Sequence, residues 1–233
     1  VYLLRNIRSG KQYAAKRAKV FTLHRQIELI RELCVWFSLP DHPNIVKCYF
    51  FRMELGEEGE EVVILAEYIE GGSLYEWIDR GYLYAGSEDD ATERVMDIAI
   101  QVAWGLHSIH EQRLIHQDVK PANILIAPDG MVAKVTDFGL IKARAASAAS
   151  GIGYQGKETV SATFGGMTEA YCSPEQFAAL ALKKAGNTES NTSRLTRRTD
   201  LWSWALSVLE MFLGEKLWIF LEKKPWEEKG GHK

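Results

Sequence analysis

The stretch Leu114–Ile126, LIHQDVKPANILI, constrains this chain more than any other. Apolar Leu114 and Ile115 precede a polar middle with His116, Asp118, Lys120 and Asn123, and Ile124, Leu125 and Ile126 follow it. Such flanks bury as short strands or loop ends, so the polar residues between them are held at fixed positions on a surface. Asp118 and Asn123 stand five residues apart across a loop that feeds a strand. That strand, Ile124–Ile126, turns through Ala127–Gly130 (APDG) into a second one, Met131–Thr136. Asp137 follows directly, 19 residues after Asp118. Asp118, Asn123 and Asp137 thus converge at the mouth of one hairpin. A hard cation such as Mg²⁺ takes oxygen ligands of this kind, with water and phosphate completing its shell.

The rest of the chain predicts what surrounds that hairpin. Residues 1–18 read as two short strands turning at Ser9-Gly10. Leu23, Ile27, Ile30, Cys34 and Phe37 fall at helical spacing over Phe21–Phe37, and Asp41-His42-Pro43-Asn44 ends the pattern. Strands are expected over 45–53 and 62–69, joined by the acidic segment ELGEEGEE as a solvated hairpin tip. Ser73 and Glu76 form a capping box for a short helix through Asp79. Val95, Ile98, Val102, Leu106 and Ile109 line one face of a helix from Ala91 to His110. Residues 143–166 and 183–199 read as loops, the first of them mobile. LWSWALSVLEMFL (201–213) is apolar nearly all round, which predicts a helix at the centre of a domain. Strands before residue 70 and helices after it give an α+β, two-lobed layout.

The ordered motifs resemble the eukaryotic-type protein kinase family. YAAK ending at Lys16 is similar to the family's V-A-I-K strand, and HQDVKPAN to its catalytic loop. DFG at Asp137–Gly139 is intact, SPE at Ser173–Glu175 resembles A-P-E, and TDLWSWA from Thr199 resembles the start of the family's central helix. Each triplet alone is weak. Five in the right order, near the right spacing, are strong. The resemblance implies a small β-rich lobe (residues 1–69) and a larger helical lobe (70–233), each expected to be incomplete: the chain opens at Val1 where the glycine-rich loop should end, and the helices expected after the central one are missing.

The resemblance also implies roles. Lys16 would pair with the α- and β-phosphates of ATP and be held by a carboxylate, Glu28 or Glu32. Glu32 is favoured because His42 lies ten residues on. Asn123 and Asp137 would hold Mg²⁺, Asp118 would orient the attacking hydroxyl, and Lys120 would neutralise the moving phosphoryl group. Val1, Ala14 and Leu125 would enclose the adenine, and Glu67 and Ile69 would offer it backbone groups, with Ala66 behind. Lys120 and Thr168 match the serine/threonine branch, so the expected partner is a protein bearing a Ser/Thr hydroxyl. His116 reads as a packing residue and Asp200 as a brace for the catalytic-loop backbone. Gln117 departs from the pattern. Most members carry an arginine there that binds activation-loop phosphate, so activity independent of such phosphorylation is expected.

Bulk properties exclude other classes. Net charge is −3, giving no basic field for nucleic acid. Cys34, Cys48 and Cys172 are odd in number and scattered, so a reducing, cytoplasmic setting is expected, with neither a disulfide framework nor a zinc knuckle. No apolar run reaches the roughly 18 residues of a membrane span, and no leader pattern opens the chain. Two alternatives remain at this level. One is a kinase-like scaffold without catalysis. The other is a small-molecule phosphotransferase, which shares HxDxxxxN but lacks SPE and a long activation segment.

Overall fold

The structure, a computed structural model, describes residues 1–19, 23–56, 59–138, 142–143, 160–161, 169–178 and 194–215. It begins with a four-stranded antiparallel sheet in the order β1-β2-β4-β3. Its strands are β1 (Tyr2–Arg5), β2 (Gln12–Lys19), β3 (Cys48–Gly56) and β4 (Gly59–Glu67). Along β4 the buried residues alternate at Val62, Ile64 and Ala66, the period of a strand with one covered face. Lys16 pairs with Ile64 and Ala14 with Ala66, so these four residues share a face. The β3–β4 hairpin runs further than its apolar residues predict, into the acidic segment. There Glu54 faces Glu61, and Arg17 of β2 lies 3.6 Å from the first and 3.8 Å from the second, offsetting the like-charge pair.

Helix α1 (Leu23–Ser38) packs on this sheet, with a contact face other than the sequence periodicity indicates. Leu33 and Trp36 are buried, whereas Ile27, Cys34 and Phe37 are exposed. Trp36 decides the orientation. Its indole N–H donates to Val46 O at 2.8 Å, and its ring stacks on Phe138 at 5.2 Å.

The sheet is joined to the following elements by backbone pairing. Ile45 bridges Val135 in parallel, with Val46 N–H to Val135 O and Val135 N–H to Asn44 O, both 2.9 Å. Val135 belongs to β7 (Ala133–Val135), the partner of β6 (Ile124–Ile126) in the expected hairpin. Gly105 permits this docking. A Cβ there would lie 2.6 Å from Asn44 O, so any side chain would push the loop off its helix.

That helix is α3 (Glu88–Glu111); α2 (Leu74–Asp79) precedes it. The Ser73–Glu76 capping box forms as expected. The start of α3 lies three residues earlier than the apolar spacing suggests, because Ser87 and Asp90 make a second box. The two-residue strand β5 (Leu114–Ile115) leads to the catalytic-loop stretch and pairs with β8 (Lys142–Ala143), while β9 (Val160–Ser161) pairs with β10 (Arg194–Leu195). The remainder of the two expected loops lies outside the described residues, as do Gly139 and Thr168.

The last helix, α4 (Arg197–Leu213), differs most from expectation. It starts within the segment read as a loop, at a Thr196–Thr199 capping box. Its buried residues are Thr199, Asp200, Ser203, Ser207, Glu210 and Met211. Leu201, Trp202, Leu209 and Phe212 are exposed. Polar groups thus face inward. Each of these polar side chains makes at least one hydrogen bond, among them Ser203 Oγ to Tyr171 O at 2.8 Å and Tyr171 Oη to Glu210 Oε2 at 2.5 Å. Burial and the Glu210 carboxylate push the Tyr171 phenol well above its ordinary pKa, so it stays a donor.

Candidate active site

The catalytic-loop stretch is hung from α4. Asp200 is fully buried and accepts the backbone N–H groups of His116 (2.9 Å) and Gln117 (2.8 Å), and His110 Nε2 at 2.7 Å. Two oxygens that can only accept thus fix the two consecutive peptides on either side of the His116 Cα. His116 carries the restraint onward. Its Nε2 lies 3.0 Å from Thr136 O, and its Nδ1 accepts the Asp118 N–H at 3.3 Å. A carbonyl only accepts and an amide only donates, so the ring is the neutral Nε2–H tautomer. The histidine is fully buried and tilted against Phe138 at 5.3 Å. It packs and orients, as the sequence suggests.

Asp118 lies beneath this anchor. Lys120 Nζ sits 2.7 Å from its Oδ2, and Asn123 Nδ2 donates to the same oxygen at 2.9 Å and to Asp118 O at 2.8 Å. One carboxylate oxygen is therefore engaged by a cation and an amide. The Asn123 amide turns its nitrogen to Asp118, which leaves its oxygen for another ligand. Asn123 O accepts the Thr136 N–H at 2.9 Å, one residue before Asp137. The hairpin thereby sets the distance between the loop and the second acid.

Asp137 takes a left-handed backbone with φ of +62°, unusual for a non-glycine residue, as does Gln117 at +70°. Its carboxylate meets the Lys16 ammonium at 3.3 Å, both side chains being about half-exposed. The structure thus brings Lys16, Asp118, Lys120, Asn123 and Asp137 to one place. Glu32 is half-buried on α1; among the described residues the ion pair of Lys16 is with Asp137 and not with Glu32. The Glu28 side chain lies outside the described residues. Ala14, Ile69 and Leu125 are half-buried, while Val1 is 87% exposed at the start of the sheet. The Glu67 N–H is taken by Lys47 O, and its carboxylate is held 2.7 Å from Lys134 Nζ.

The donor set suits a magnesium–nucleotide. Asn123 and Asp137 offer oxygen, the preference of a hard divalent ion, and two protein ligands leave room for phosphate and water. Among the described residues no three His, Cys, Asp or Glu side chains cluster as an all-protein metal cage. Lys16 and Lys120 add positive charge where phosphoryl oxygens would lie.

Gln176 has no place in the sequence reading, yet it touches the loop. It is fully buried and its Nε2 donates to Gln117 O at 3.0 Å. The spacing Ser173-x-x-Gln176, a capping box that opens on the serine of SPE, is the signal that could have found it.

An α+β fold with these groups at the junction of sheet and helices defines a class, the protein kinases. The family model for the protein kinase domain matches residues 1–230, and the chain belongs to that family. Among its relatives are serine/threonine-protein kinase SSK22 of Saccharomyces cerevisiae, 29% identical over 96% of this chain, and mitogen-activated protein kinase kinase 9 of Arabidopsis thaliana, 30% identical over 92%. Serine/threonine-protein kinase pkn2 of Myxococcus xanthus is 27% identical over 92%. The chain spans 16%, 59% and 22% of those three proteins' lengths, respectively. Among the described residues no helix is long and apolar enough to cross a membrane.

Proposed function

We propose that this chain transfers the γ-phosphoryl group of ATP to serine or threonine hydroxyls of proteins, from a site between residues 1–69 and 70–233 acting as two lobes. The observation that carries the reading is the Asp118 carboxylate, one oxygen of which is held by Lys120 and Asn123 beside the Lys16–Asp137 pair. Asp118 keeps its second oxygen for the proton of the attacking hydroxyl. Lys120, already at the carboxylate, offsets charge on the moving group. Lys16 would hold the α- and β-phosphates, and Asn123 and Asp137 the metal. Bound Mg²⁺ supplies charge neutralisation on the phosphates and in-line orientation. Ala14, Leu125 and Ile69 would line the adenine site, with Ala66 behind them. Most of the rate then comes from positioning and electrostatics.

The full-length protein, incubated with labelled ATP, Mg²⁺ and generic protein substrates beside an Asp118→Asn variant, tests this. The expected result is transfer to serine or threonine by the wild type and a loss of at least about 100-fold in the variant. Equal transfer by both removes the role of Asp118. Nucleotide binding without transfer by either points to a scaffold.

A further inference from the structure

The peptide bond that enters Asp118 is clamped at both ends. Its N–H donates to His116 Nδ1 at 3.3 Å, and its carbonyl, Gln117 O, accepts Gln176 Nε2 at 3.0 Å. Gln176 comes from the segment following Ser173-Pro174-Glu175, 59 residues away in the chain. Its other amide atom works locally. Oε1 accepts the Ser173 N–H at 3.0 Å, while the Gln176 N–H reaches Ser173 Oγ at 3.4 Å, the two halves of a capping box. A capping box needs only an acceptor at this position, and glutamate serves as well as glutamine. The second bond needs a donor, which only the amide supplies.

We infer that Gln176 is a positioning residue for the proposed phosphoryl transfer: its carboxamide ties the Ser173–Glu175 segment to the backbone immediately before Asp118. The tie matters because Gln117 holds φ of +70°, a conformation that L-residues rarely adopt unaided. It also explains how the loop is set with glutamine at position 117. That side chain is 2% exposed and neutral, so it cannot receive a phosphate as a guanidinium would. An internal amide that is always present takes over the restraint. The segment is itself fixed, since Thr199 Oγ1 donates to Glu175 Oε1 at 2.8 Å at the start of α4.

The inference rests on the kinase reading, and its test separates the two. Gln176→Glu keeps the capping acceptor and sets an oxygen against Gln117 O in place of a donor. Once protonated, the new carboxyl can donate again. In the full-length variant at pH 8, kcat is expected to fall about tenfold with KM for ATP within about twofold. The ratio of variant to wild-type kcat should then rise as pH is lowered to 6. Hydrogen exchange should quicken at residues 116–118 and stay unchanged at 174–178. Wild-type kcat in the variant at pH 8, or a deficit that pH does not alter, overturns the inference. If the wild type transfers no phosphate the kinase reading fails, and exchange alone decides: unaltered protection at 116–118 overturns the clamp. Should the glutamate variant not fold, Gln176→Ala beside Ser173→Ala decides. Both weaken the cap, and only the first should quicken exchange at 116–118; equal effects overturn the inference.

Discussion

The Lys16 ammonium lies 3.3 Å from the Asp137 carboxylate although 121 residues separate them in the chain. Both side chains are near half exposure, so the pair contributes little to folding, under about 1 kcal/mol. Lys16→Met should therefore leave the unfolding temperature within about 2 °C and lower phosphoryl transfer at least 100-fold, roughly the loss when one charge-stabilising group leaves an active site. Calorimetry and a transfer assay on the same preparation check both halves.

Asp200 shows the opposite balance, because it is fully buried and accepts three donors. Asp200→Ala strands His110 and two backbone N–H groups, and should cost about 3 kcal/mol or more. Asp200→Asn retains the shape but offers a donor to donors, so it should fall between wild type and alanine. Denaturant midpoints of the three proteins give the order.

Gln117 cannot bind a phosphate as arginine does. Treating the full-length protein with a broad phosphatase should therefore change its transfer rate by less than about twofold. A large loss would mean that another basic group reads such a phosphate.

The helix caps respond to pH. The Glu76 carboxylate accepts the backbone N–H and the hydroxyl of Ser73, which hold its pKa below the usual range, and Ser87 does the same to Asp90. The folded pKa lies below the unfolded one. For Glu76 the stabilisation is thus present above about pH 4.5, its unfolded value, and is lost as pH falls through the folded value. The gap in unfolding temperature between wild type and Glu76→Gln should be constant from pH 5 to 7 and close on acidification below about pH 4.

Two cysteines should separate by reactivity. Cys34 is exposed, while burial pushes the Cys48 thiol up to about 11. At pH 8 iodoacetamide should label Cys34 first and reach Cys48 only when denaturant is added, as peptide mass mapping would show.

Much of this fold was legible in local pattern. The Ser73–Glu76 box, the β6–β7 hairpin and the helix through Val95, Ile98, Val102 and Leu106 all follow from residues close together in the chain. The start of α3 was misplaced because periodicity marks the buried face, whereas Ser87 and Asp90 mark the end. The contact face of α1 departs from the apolar spacing because Trp36, with one indole N–H and a ring to stack, outweighs smaller residues at better spacing. Distances were not legible. The meeting of Lys16 with Asp137 came from resemblance alone, and the tie from Gln176 to Gln117 joins residues that no local rule connects. Short strands such as β5 and β8 exist only by pairing with each other, so neither carries a pattern of its own.

The inverted wrapping of α4 has a practical side. Engineers usually protect greasy positions and edit hydrophilic ones; along this helix the habit should be reversed. Leu201, Trp202, Leu209 and Phe212, each over 40% exposed, hold little of the packing among the described residues. Trimming a single hydroxyl at Thr199 or Ser203 instead cuts the guy-ropes to Glu175 and Tyr171, and with them the alignment of everything tied above.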